Sequence, residues 1–204
     1  MKPILFNTEM VRAILEGRKT VTRRVINRDI ADWCDKESDG TLLNYENSYG
    51  DFINPVDLCR YRVGDVLYVR ETWNKVTNGY IYKATNEPVM VNGYKISLRW
   101  RPSIHMPKAA ARIFLRVTSV RVERLQDMKF KDYKAEGINN PCDSCNAFPF
   151  EKCNTCSNDA TMALSFIALW DSTIKHDQLK YYGWKANPYV WVIEFERVEK
   201  PEAV

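Results

Sequence analysis

The sequence predicts an α+β fold: a small β-barrel, mixed or antiparallel, with flanking helices at its edge. Three observations lead there. Strand-patterned runs outnumber helical ones. They do not alternate with helices in the regular β-α-β order of a doubly wound sheet. The closing run, Tyr189-Val190-Trp191-Val192-Ile193, is apolar on both sides, as a central strand is. The 204 residues suit one domain, or one domain with a sizeable insertion. An apolar fraction of 45% supplies a core without disulfide staples.

The elements follow in order. Pro3–Phe6 reads as a short strand. Asn7-Thr8-Glu9 is a helix cap and first turn, with an acid placed well for the helix dipole. Met10, Ala13 and Ile14 then recur at helical spacing, and Gly17 stops a helix over Thr8–Glu16. A strand starts near Thr20. Residues 27–62 are polar and read as an insertion or long loop that can carry a short hairpin. Val66–Trp73, Tyr80–Ala84 and Lys95–Trp100 read as strands, and Arg112–Glu123 as a long alternating one. Lys129–Gly137 is a short helix, Thr161–Trp170 an apolar helix, and Tyr189–Val198 the closing strand.

Several function classes fall away. No apolar run approaches the ~20 residues that span a bilayer, so no membrane partner is expected. The stretch from Met1 to Asn7 is too short for a signal peptide, which points to an intracellular, cytoplasmic protein. Lysine and arginine number 30 against 26 acids, a net +4 that permits nucleic-acid binding without demanding it. There is no Walker phosphate loop and no G-x-S-x-G elbow. With His105 and His176 alone, a histidine metal centre or a Ser-His-Asp triad is poorly supplied.

Four of the six cysteines fall close together: Cys142-Asp-Ser-Cys145, then Cys153-Asn-Thr-Cys156. Paired C-x-x-C turns are the spacing of a closed, tetrahedral site of four thiolates, so a structural Zn2+ in an inserted zinc knuckle over residues 140–158 is expected. Two redox or disulfide pairs are the alternative. Cys34 and Cys59 stand apart.

Three stretches carry candidate chemistry. Glu16-Gly17-Arg18-Lys19-Thr20-Val21-Thr22-Arg23-Arg24 is a basic, threonine-rich turn that can aim Lys19, hydroxyls and backbone N–H groups at an anion or a developing oxyanion. A solvated loop before an ordinary strand is the plain alternative. In Val69-Arg70-Glu71-Thr72-Trp73, alternation sets Glu71 on the apolar face of Leu67, Val69 and Trp73, where a carboxylate needs a salt-bridge partner or has a task. Arg99-Trp100-Arg101-Pro102-Ser103-Ile104-His105-Met106-Pro107 interleaves side chains that stack on and hydrogen-bond an exposed base. A proline-pinned loop around a core tryptophan is its alternative. Arg23, Arg70, Glu71, Trp73, Trp100, Arg101, Ser103 and His105 are the resulting base-binding candidates.

The blocks Gly17-Arg18-Lys19-Thr20-x-Thr22-x-Arg24, Gly64-Asp65-Val66-Leu67, Arg112–Val122, Ala135-Glu136-Gly137 and Tyr189–Phe195 resemble, in this order, the ASCH domain. With Val69–Trp73, Trp100–Pro107 and Leu169-Trp170-Asp171-Ser172, the chain looks like the larger ASCH-type proteins of bacteriophages and prophages. Residues 27–62 and the cysteine block lie outside the minimal pattern. The resemblance implies a PUA-like small β-barrel with a cleft for RNA, single-stranded nucleic acid or a modified nucleoside. Some small members are amidohydrolases acting on N4-acetylcytidine, with a Lys, a Thr and a Glu proposed as catalytic. By position these are Lys19, Thr22 and Glu136. Other members are reported as ribonucleases or nucleic-acid binders, so a ribonuclease, a non-catalytic RNA/DNA-binding protein and a phage interaction module stand as alternatives. Strict strand alternation sends Lys19 and Thr22 to opposite faces. They converge if Lys19 lies in the turn before the strand, or if a bulge intervenes.

Overall fold

The computed structural model describes residues 1–34, 44–46, 52–77, 79–85, 90–91, 94–95, 99–138 and 159–201. Among the described residues run eleven strands: β1 (Lys2–Leu5), β2 (Val21–Val25), β3 (Tyr45–Glu46), β4 (Phe52–Ile53), β5 (Val66–Arg70), β6 (Trp73–Val76), β7 (Gly79–Tyr82), β8 (Met90–Val91), β9 (Tyr94–Lys95), β10 (Phe114–Arg124) and β11 (Tyr189–Val198). The α-helices are α1 (Thr8–Leu15), α2 (Arg28–Trp33), α3 (Phe130–Ala135), α4 (Asp159–Thr173) and α5 (Leu179–Tyr182). The fold is α+β. No helix among the described residues is long and apolar enough to cross a membrane.

Five strands form the main sheet in the order β1-β5-β10-β11-β2, with β1 and β5 parallel and the other pairs antiparallel. The expected barrel is not closed: β1 and β2 are edge strands without a shared ladder. Side chains occupy the space between those edges. Arg24 on β2 donates to Leu5 O on β1 (2.9 Å), and the Phe6 ring lies 5.6 Å from Lys19 Nζ and 5.5 Å from Arg24 Cζ. The separation of the two edges leaves the cleft described below.

Along the first half of β11 both faces of the sheet are covered. Ile193 and Phe195 of β11 join Ile4, Leu67, Leu115 and α1 residues Val11 and Ile14 in one cluster. Val190 and Val192, the alternate residues, join Val21, Leu125, Tyr133 and α4 residues Met162, Phe166 and Trp170 in another. This explains why β11 reads as apolar on both sides: a strand between two helical layers has no solvent face. A register shift between Val117 and Ser119 marks a bulge in the long strand β10.

The N-terminal segment sets the site. Asn7 caps α1, its Oδ1 accepting from Met10 N at 2.8 Å. Gly17 follows the helix at φ +76°, a left-handed value that glycine tolerates. Arg18 N and Lys19 N both donate to Ala13 O, closing the turn before β2.

Two strand expectations are corrected. The Val66–Trp73 strand breaks at Glu71–Thr72, and Trp73 begins β6, which pairs with β7 instead of the main sheet. The long strand starts at Phe114, because Arg112 turns back to meet Glu71. Within 27–62, β3 pairs with β4 as a short hairpin. Cys142, Cys145, Cys153 and Cys156 lie outside the described residues.

Candidate functional site

A cleft of about 430 Å3 opens between the sheet edges, α1 and α4. Its polar lining includes Lys19, Thr22, Arg23, Arg24, Ser103 and Glu136, and its apolar lining Leu5, Phe6, Met10, Phe166, Leu169 and Trp170. That size and mixture suit a small organic ligand.

Lys19 stands just ahead of β2, where it forms an isolated antiparallel bridge with Glu136. Thr20 N donates to Ala135 O at 2.9 Å, so the chain leaving α3 is stitched to the chain entering β2. The turn position of Lys19 resolves the alternation conflict, and Lys19, Thr22 and Glu136 line one cleft.

The charged centre is buried. Lys19 and Glu136 side chains are 2% and 6% exposed, and Lys19 Nζ donates to Glu136 Oε2 at 2.6 Å. The other two ammonium hydrogens reach Val21 O (2.7 Å) and Glu136 O (3.0 Å), so all three donors of Lys19 are engaged. Glu136 Oε1 accepts from Arg23 Nη1 at 3.1 Å. Burial pulls the Lys19 ammonium below the usual lysine range; the Glu136 carboxylate opposes that shift, and Arg24 and Arg23 add to it.

Arg23 is wholly buried. Its Nη2 lies 3.5 Å from Glu123 Oε2 and 3.8 Å from Asp132 Oδ1, and its Nε and Nη2 have no hydrogen-bond partner among the described residues. Glu136 is thus gripped from two sides, and its second cation is tied to acids on β10 and α3.

The remaining candidates separate. Ser103 lines the cleft. Glu71 does not: it is buried, and Arg112 holds both its oxygens at 2.9 and 3.0 Å, the structural salt bridge that its apolar face demanded. Arg112 in turn sits 4.0 Å from the Tyr82 ring centroid. Trp73 is buried edge-on against Tyr80, and Arg101 exchanges backbone hydrogen bonds with it while laying its guanidinium 5.3 Å from the Trp73 ring. Arg70 Nε donates to Met106 O at 2.8 Å. Trp100 is half-buried, and Arg101 and His105 are exposed, all three outside the cleft lining. The proline-bounded loop therefore sends Ser103 to the cleft and is held in place by Trp73 and Arg70.

Sequence reasoning missed the aromatic walls. Phe166 and Trp170 read as core residues from their helical spacing and Phe6 as the end of a short strand; all three are buried, yet each also borders the cleft. Burial and cleft lining coincide because the cavity cuts between two core layers.

No family model matches the chain, and no curated protein matches it. A solved structure, protein EF3133 from Enterococcus faecalis V583, described under the family model DUF984, is similar at 12% identity and a TM-score of 0.41. That similarity covers 92% of this chain, which spans 66% of EF3133. At this TM-score the likeness carries no argument about fold or function.

Proposed function

We propose that the cleft is that of an ASCH-type, PUA-like protein, that it binds a nucleobase, and that it hydrolyses an N-acyl group from it, with N4-acetylcytidine as representative substrate. One observation carries this reading: a buried Lys19–Glu136 ion pair in a cleft also lined by Thr22. A buried ion pair is weak as a stabilising device. Set in a cleft with a depressed lysine, it is the kind of pair that active sites keep.

The contacts of Lys19 and Glu136, and the place of Thr22 in the cleft lining, support the following roles. Thr22 orients the attacking water, and Glu136 takes its proton. The oxygen–carbon bond forms as the acyl carbonyl becomes an oxyanion, whose charge Lys19 offsets through its own charge, since its three hydrogens are engaged. The carbon–nitrogen bond then breaks. Glu136 returns the proton to the departing nitrogen, leaving a free amino group and a carboxylic acid.

Acetate release from N4-acetylcytidine tests it. Lys19→Ala, Thr22→Ala and Glu136→Ala, each checked for fold by circular dichroism, are expected to lower kcat/KM at least ~100-fold, the scale of a lost acid–base group. Folded wild-type protein without turnover removes the catalytic reading, and full turnover in any variant removes that residue from it. The engagement of every Lys19 donor favours a second reading, non-catalytic recognition of a base in RNA or single-stranded DNA. On that reading, ligand affinity falls with salt while no acetate appears. We also propose a structural Zn2+ held by Cys142, Cys145, Cys153 and Cys156, on their spacing alone.

A further inference from the structure

The cleft has a neighbour. Trp170, one of its walls, donates Nε1–H to Tyr182 O at 2.8 Å, and Tyr182 lines a second cavity of about 290 Å3. Strand β2 connects the two as well. Thr22 and Arg24 border the cleft and Ile26 borders the second cavity. Four residue steps of extended chain, about 13 Å, separate Thr22 from Ile26.

The second cavity combines Arg28, Arg124 and Lys180 with Tyr181, Tyr182 and Tyr189. Cations and rings are paired. Arg124 Cζ lies 3.7 Å from the Tyr189 centroid, while Arg28 Cζ and Lys180 Nζ lie 5.1 and 4.7 Å from that of Tyr181. The lining carboxylate, Asp32, is taken by Arg28 Nε at 3.2 Å, which leaves the lining positive. Tyr181 is 43% exposed, and Arg28 and Lys180 both lie over its ring, so the most exposed aromatic of the cavity carries positive charge beside it. An aromatic ligand with a negative group answers this surface: a base stacks on the ring and a phosphate pairs with the cations. Both are supplied by one nucleotide.

We propose that this cavity holds a nucleotide flanking the base in the cleft, so that the ligand of the whole site is a single-stranded oligonucleotide instead of a free nucleoside. The proposal rests on reading the cleft as a base-binding site. It gives that site a second, charge-dependent foothold beyond the Trp170 wall.

Fluorescence anisotropy of end-labelled octauridylate RNA and the matching oligothymidylate DNA tests it, with the wild type, Tyr181→Ala and Lys180→Glu. Both positions are exposed, and thermal denaturation checks that each variant folds. The wild type is expected to bind the octamers more tightly than uridine monophosphate. Each variant is expected to lose at least ~5-fold in octamer affinity, the lower end of one lost stack. Lys180→Glu should also flatten the dependence on salt. Equal losses on RNA and DNA assign recognition to base and phosphate, and a loss on RNA alone adds the ribose; either supports the site. Octamer affinity unchanged in both folded variants, or no octamer binding by the wild type, overturns it. Acetate release by the wild type is measured separately. Its absence together with a variant-sensitive octamer affinity leaves this second site standing and sinks only hydrolysis in the cleft.

Discussion

Removing Glu136 strands the buried Lys19 and weakens the pairing of the buried Arg23, whereas removing Lys19 leaves Glu136 still held by Arg23. The two substitutions break one ion pair but should differ in cost. In Glu136→Met, Lys19 keeps Val21 O at 2.7 Å and the main-chain carbonyl of residue 136 at 3.0 Å, but no carboxylate. Arg23 loses the carboxylate at 3.1 Å and keeps only the longer approaches to Glu123 and Asp132 at 3.5 and 3.8 Å. Leaving a buried charge uncompensated costs about 3–5 kcal/mol. In Lys19→Met the carboxylate keeps a charged donor and an ammonium disfavoured by burial is gone, so a lost hydrogen bond to a charged group, about 1.5–3 kcal/mol, is the ceiling. With a urea m-value of roughly 2 kcal/mol/M, the midpoint should fall by ~2 M for Glu136→Met and by ~1.5 M at most for Lys19→Met. The double variant should be no worse than Glu136→Met alone, since the lysine no longer lacks a partner. Equal midpoints for the two single variants, or a double variant at their sum, refute the reasoning.

Further outcomes follow from the same contacts. Stability of the wild type relative to Lys19→Met should rise with pH, from the lowered folded pKa of Lys19 up to about 10.4, because there the unfolded chain binds more protons; paired urea midpoints at pH 7 and 9.5 measure it, and a flat difference counts against the burial argument. Gly137→Ala should cost roughly 2–4 kcal/mol and impair the cleft, because φ is +85° and the new Cβ would stand 2.7 Å from Ala13 Cβ and 2.9 Å from Lys19 Cβ; a thermal melt like the wild type's would contradict it. Glu71→Gln should destabilise by about 2–3 kcal/mol by breaking a bidentate buried pair without lowering the turnover proposed for the cleft; a folded variant that loses a turnover seen in the wild type would tie Glu71 to the site. Cys142→Ser should lower both zinc content by elemental analysis and thermal stability; unchanged metal content removes the zinc proposal.

The sequence carried some of this and hid the rest for physical reasons. The Asn7 cap, the Gly17 stop and the closing strand Tyr189–Val198 were legible because caps, left-handed glycines and a doubly apolar run are local signals. The meeting of Lys19, Thr22 and Glu136 followed from the family resemblance, since no local rule joins residues 117 positions apart. For Glu71, a paired or a working carboxylate were equally readable, and only the placement of Arg112 ahead of β10 decided for pairing. Barrel closure was not legible: strand patterns count strands, while the separation of β1 from β2 depends on the Arg24 and Phe6 side chains between them.

Lys19 and Glu136 are also separated in time. At ~5–20 residues per second of synthesis, Glu136 leaves the ribosome roughly 6–23 s after Lys19, and the β11 partner of β2 emerges later still. Throughout that interval the nascent chain bears an ammonium without its carboxylate and a strand without its ladder. Local helices such as α1 can form early, but the site must await its distant half. Folding of the cleft is therefore a late event dominated by non-local closure, slow for the chain's size. During that interval an unpaired β2 is open to pairing with a stray strand, and a holding chaperone would protect it.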